Sequence, residues 1–98
     1  MLVHNVFFWL KPELTPAQVA EFERGVATLL TIPTVRHGFV GRPSSTNRPI
    51  IDRSYTFGLT LAFDDLAGHD AYQEHPVHLA FVDGNSAKWS AVKIYDFE

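Results

Sequence analysis

Residues 2–10, Leu-Val-His-Asn-Val-Phe-Phe-Trp-Leu, form a run of strong β-formers that stops at Lys11-Pro12, the pattern of a strand with a proline end. Side chains alternate across a strand, so Val3, Asn5, Phe7 and Trp9 share one face while Leu2, His4, Val6, Phe8 and Leu10 share the other. Neither set is suited to water. Such a strand belongs inside a sheet that is covered on both sides. The chain has 98 residues, enough for a single domain spanning 1–98, and a domain of this size removes only roughly 60–65% of its unfolded surface from water. With 46% hydrophobic residues it has more apolar side chain than one small interior can hold.

The rest of the chain supplies cover for one face. Thr15-Pro16-Ala17-Gln18 offers an N-cap hydroxyl, a proline in the first turn and a Gln placed to complete a capping box, so a helix starts here. Val19, Phe22, Val26, Leu29 and Leu30 follow at spacings of three and four as an apolar stripe, and the helix ends near Thr31, before Pro33. Val35 to Arg42 alternates weakly, and a polar stretch from Pro43 to Pro49 follows. Ser54 to Phe63 reads as a second strong strand, with Tyr55, Phe57, Leu59, Leu61 and Phe63 on one face and the small residues Thr56, Gly58, Thr60 and Ala62 on the other. Asp64 or Asp65 caps a short helix that halts at His75-Pro76, because proline disfavours helical geometry in the residue before it. Pro76 opens a further helix carrying Val77, Leu79, Ala80, Phe81 and Val82, and Trp89 to Phe97 returns as a strand.

The order is β-α-β-β-α-β, an α+β, ferredoxin-like plan whose four-stranded antiparallel sheet carries its helices on one face. The other face stays bare in a lone subunit. An apolar face of that size marks an interface, and the expected solution is a homodimer in which two sheets close into an α/β barrel.

Composition removes several classes of function. Without cysteine there is no disulfide, thiolate metal site or cysteine nucleophile. A formal charge of −3 lacks the basic excess that phosphate-backbone binding needs, so no nucleic-acid partner is expected. The apolar opening lacks a basic n-region and is too short to span a bilayer, so no membrane partner is expected and the assigned compartment is the cytoplasm. No phosphate loop, GxSxG elbow or dinucleotide fingerprint occurs, and no cofactor is expected. Arg42, Arg48 and Arg53 could clamp an anion, but in a polar connection they read as solubilising residues.

Chemistry therefore rests on histidine and tyrosine. Tyr72-Gln73-Glu74-His75-Pro76-Val77-His78 gathers a phenol and two imidazoles around a helix break, the groups best suited to acid–base work near neutral pH. On one unbroken helix Tyr72 and His78 would lie roughly 240° apart. The break at Pro76 lets both turn toward the sheet, where His4 also projects. The plain alternative makes Tyr72 and His78 packing residues, His75 a helix cap and His4 a hydrogen-bonded core residue. His37 and His69 read as surface residues. His75 and His78, with Asp70, Glu74 and Asp83 nearby, could in principle hold a metal, but the intervening proline and the lack of a clear third ligand leave the expectation at no metal site.

Taken together, His4-Asn5-Val6-Phe7-Phe8, Leu10-Lys11-Pro12, Ile32-Pro33, Val40-Gly41-Arg42, Tyr72-x-x-His75-Pro76-x-His78 and Tyr95-Asp96-Phe97 resemble the Dabb family of stress-responsive dimeric α/β-barrel proteins. The resemblance implies a ferredoxin-like dimeric barrel over essentially the whole chain. One plant branch of the family is a polyketide cyclase that works without cofactor through a tyrosine and a histidine, which fall on Tyr72 and His78, while a first-strand histidine falls on His4. A further tyrosine of that branch aligns near Val26, so the pocket floor differs. The resemblance thus implies His78, Tyr72 and His4 as catalytic residues. His75, Phe81 and Trp89 are the residues expected to bind ligand. The leading expectation is a dimer of uncertain activity that binds a small apolar or carbonyl-bearing molecule between helices and sheet. The alternatives are a cofactor-independent lyase, cyclase or isomerase, and an oxygenase of the wider dimeric-barrel group.

Overall fold

The computed structural model describes residues 1–98 and carries seven main elements. These are β1 (Leu2–Leu10), α1 (Pro16–Thr28), β2 (His37–Gly41), β3 (Phe57–Phe63), α2 (Leu66–Glu74), α3 (Pro76–Asn85) and β4 (Trp89–Phe97), with short 3-10 turns after α1 and α3. The sheet runs β2-β3-β1-β4, and every neighbouring pair is antiparallel. This is the ferredoxin-like α+β arrangement. No helix is long and apolar enough to cross a membrane.

Local signals act where the sequence placed them. The Gln18 N–H donates to Thr15 Oγ1 and the Thr15 N–H donates to Gln18 Oε1, so the capping box satisfies two amide donors that the first turn leaves free. Asp65, rather than Asp64, caps α2 by accepting from the Gly68 N–H. Asp64 instead pairs with Arg36 at 2.7 Å. Phe22, Val26 and Leu29 of the α1 stripe are buried against Phe57, Leu59 and Leu61 of β3, and Val19 and Leu30 pack at the margin. Where α1 meets α3, side chains of α3 pack directly over Gly25: a Cβ there would lie 3.1 Å from Asn85 Nδ2 and 3.3 Å from Phe81 Cδ1.

Two strand boundaries differ from the sequence reading. β2 is confined to His37–Gly41, and β3 begins at Phe57 rather than Ser54. The shorter β3 frees Tyr55 from its alternation. Instead of joining Phe57 under the helices, Tyr55 folds onto Phe7, with ring centroids 5.0 Å apart. Phe7 and Trp9 lie on the sheet face opposite the helices, so Tyr55 adds to that face.

The two faces of β1 are both apolar and differently covered. Leu2, His4, Val6 and Phe8 are buried beneath the helices, whereas Val3, Asn5, Phe7 and Trp9 are only partly covered. The register puts Phe97, Tyr95 and Lys93 beside Val3, Asn5 and Phe7 on the bare face. Phe39, Phe97 and Tyr95 are 71%, 62% and 58% exposed there, a large apolar exposure for a domain with sixteen buried residues.

Candidate functional site

The proline break sets the site. His75 ends α2 and caps α3, its Nδ1 accepting the Val77 N–H at 3.1 Å. The kink between the two helices brings Tyr72 and His78 together, with ring centroids 4.8 Å apart. Tyr72 is also 5.8 Å from the ring of His4 on β1, so the phenol is the middle member of the three. His4 and Tyr72 are buried and His78 half-buried.

These surroundings fix protonation. Burial raises the Tyr72 phenol well above its ordinary range and is the one cause of that shift, so the group stays an O–H donor. Burial lowers His78, the charges of His4 and His69 push the same way, and the backbone of Gln73 opposes them. His78 is therefore neutral near pH 7 and can accept a proton. Its Nδ1 is shut from solvent and has no hydrogen-bond partner in the protein. Burial also lowers His4, partly offset by the carboxylate of Asp96, which takes a hydrogen bond from His4 Nδ1 at 2.5 Å. That bond fixes the tautomer of His4 and the orientation of its ring.

Above these residues lies a cavity of about 200 Å³, walled mainly by apolar side chains. His4, Tyr72 and His78 form its polar end; Phe8, Phe81 and Trp89 form an aromatic end, with Phe8 5.5 Å from Trp89. Val82 of α3 and Ile94 of β4 line it and are themselves exposed. The volume equals roughly six or seven waters' share of the liquid, room for a small molecule.

The family model of the stress responsive A/B barrel domain, Dabb, matches residues 2–98. The chain belongs to the Dabb family. This Dabb domain is 25% identical over 95 residues to olivetolic acid cyclase of Cannabis sativa, covering 96% of this chain and 92% of that one. Among solved structures it superposes on a dimeric ferredoxin-like protein of unknown function from Thermobifida fusca at TM-score 0.79 and 23% identity, covering 98% of this chain and 88% of that one. It also superposes on hydroxynitrile lyase from Passiflora edulis at TM-score 0.80 and 18% identity, covering 98% and 90%. At these identities the two structures share the fold and carry nothing about chemistry.

Of the six site residues expected in this Dabb domain, His4, Tyr72, His78, Phe81 and Trp89 all line the cavity. His75 does not. Its Nδ1 is committed to the Val77 amide, which is the capping role the sequence also offered. His69 departs from its expected surface position. Read as a surface residue, it is only 16% exposed in its side chain, and its ring lies 5.1 Å from His4. The available signal was its spacing: His69, Tyr72 and Gln73 sit at i, i+3 and i+4 on α2, hence on one face. His75 and His78 do not assemble with Asp70, Glu74 and Asp83; the metal-ligating types that converge are His4, His69 and Asp96. The arginine loop forms no anion clamp, since Arg42 pairs with Glu23 at 3.1 Å and Arg53 Nε donates to the Ser44 carbonyl.

Proposed function

We propose that this Dabb domain binds a small, largely apolar carbonyl compound in the cavity between α2, α3 and the sheet, and removes a proton from the carbon next to the carbonyl. The observation that carries this is the meeting of a neutral base, His78, and a protonated phenol, Tyr72, at the polar end of an otherwise apolar cavity. In this reading His78 takes the proton, and the electron pair of the broken C–H bond moves onto the carbonyl oxygen. The Tyr72 hydroxyl donates a hydrogen bond to that oxygen as its charge develops. The resulting enolate can attack a second carbonyl, lose a leaving group or be reprotonated, so cyclase, lyase and isomerase outcomes share this first step. His4, held by Asp96, orients the ligand.

The reading is supported by the alignment with a cyclase over nearly the whole chain. The working unit is a homodimer closed through the bare sheet face, a reading supported by the exposed Phe39, Tyr95 and Phe97 and by structural neighbours described as dimeric. Binding is tested by titrating small ketones and β-dicarbonyls into isotope-labelled protein. Shifts confined to Tyr72, His78, Phe81, Trp89 and their neighbours are expected. Shifts elsewhere, or none across the panel, would remove the cavity from the account. Binding that leaves the ligand's exchangeable C–H protons untouched would reduce the domain to a carrier, and a visible absorption band would favour the oxygenase alternative.

A further inference from the structure

We propose that His4, His69 and Asp96 form a mononuclear site for a divalent first-row transition ion of the zinc type. One ligand atom from each of the three lies within 4.8 Å of the others. They come from β1, α2 and β4 respectively, elements far apart in sequence that the fold brings to one point. Two imidazoles and a carboxylate are the donor types that borderline divalent ions take, whereas calcium and magnesium prefer all-oxygen shells.

The surroundings suit an ion. His4 is buried and His69 nearly so, which gives a wall of low dielectric, while the Asp96 side chain is 41% exposed and leaves a route in from solvent. The two rings stand 5.1 Å apart, so imidazole nitrogens from both can turn toward one point. A tetrahedral ion with bonds near 2.0–2.2 Å needs donors roughly 3.3 Å apart. Side-chain rotation must therefore draw His69 inward and open the 2.5 Å contact between His4 Nδ1 and Asp96 Oδ1, with the His4 proton passing to the other ring nitrogen. Asp70, 3.1 Å from His69 Nδ1, and Gln73, 3.4 Å from His69 Nε2, are the neighbours that would orient whichever ring nitrogen is left free. Three protein ligands would leave a coordination position open for water or an oxygen of a bound molecule. The site shares His4 with the cavity but does not depend on the acid–base reading, because neither His78 nor Tyr72 supplies a ligand.

The test is titration of metal-stripped, full-length protein with Co²⁺, read by visible absorption, and with Zn²⁺, read by calorimetry. One ion per chain is expected, with cobalt bands typical of a nitrogen and oxygen ligand set. His69→Gln and Asp96→Asn should each weaken binding by about tenfold or more, while His37→Ala and His78→Ala should bind as the wild type does. Absence of saturable binding, binding that survives His69→Gln, or binding lost in His78→Ala would each overturn the assignment. Where a variant fails to fold, imidazole signals of the wild type decide: Co²⁺ should shift or broaden those of His4 and His69 and leave His37 sharp, and the reverse pattern refutes the site.

Discussion

At the residue scale, burial rather than charge dominates the site. His4 and His78 both have pKa values lowered from 6.5, each chiefly by desolvation. Between those lowered values and 6.5 the unfolded chain binds protons that the folded one refuses, so stability rises with pH through that window and falls as the pH drops below 6.5. Thermal melts between pH 5 and 7.5 should show a fall in Tm toward acid that is smaller in His78→Asn; a flat or inverted profile would mean the imidazoles are not desolvated. The same neutrality makes His78 a base at pH 7. The pairing of Tyr72 with His78 is legible in the sequence because Pro76 visibly breaks the helix between them. The place of His69 is legible only in part: its spacing sets it on the Tyr72 face of α2, but its burial depends on His4 arriving from the other end of the chain.

At the element scale, the hinge between α2 and α3 is the device that makes the site. Its geometry comes from Pro76, which cannot continue α2, and from His75, whose ring caps the new helix. Losing a side-chain cap costs about 1 kcal/mol. His75→Ala should lower stability by about that much in denaturant melts, with ligand binding unchanged, while His75→Asn, which keeps an acceptor at the cap, should recover most of the loss. A binding defect with unchanged stability would return His75 to the ligand. Strand and helix identities follow from periodicity and caps, and the errors lie at strand ends. Ser54 and Tyr55 look like strand residues by composition, yet Tyr55 gains more by stacking on Phe7 and Trp9 than by extending β3, a choice that only tertiary contact decides.

At the scale of the whole molecule, the two apolar faces of β1 divide the labour of the fold. The face beneath the helices holds the core and the cavity, and the face opposite is left bare in a single copy. Sedimentation at micromolar concentration should give a dimer, and Tyr95→Glu, which sets a charge on that face, should shift it toward monomer; a wild type that sediments as a folded monomer would refute the barrel. The need for such cover is readable from residues 2–10 alone, but the cavity is not, because its volume depends on how α2 and α3 lean over the sheet. In the proposed reaction this cavity takes a proton from a carbon beside a carbonyl. This step is tested by deuterium incorporation into small ketones and β-dicarbonyls in D₂O, followed by NMR. Incorporation above the buffer rate is expected with the wild type, reduced in Tyr72→Phe and abolished in a folded His78→Ala. Exchange that continues undiminished in His78→Ala, or no exchange with any ligand shown to occupy the cavity, would contradict it.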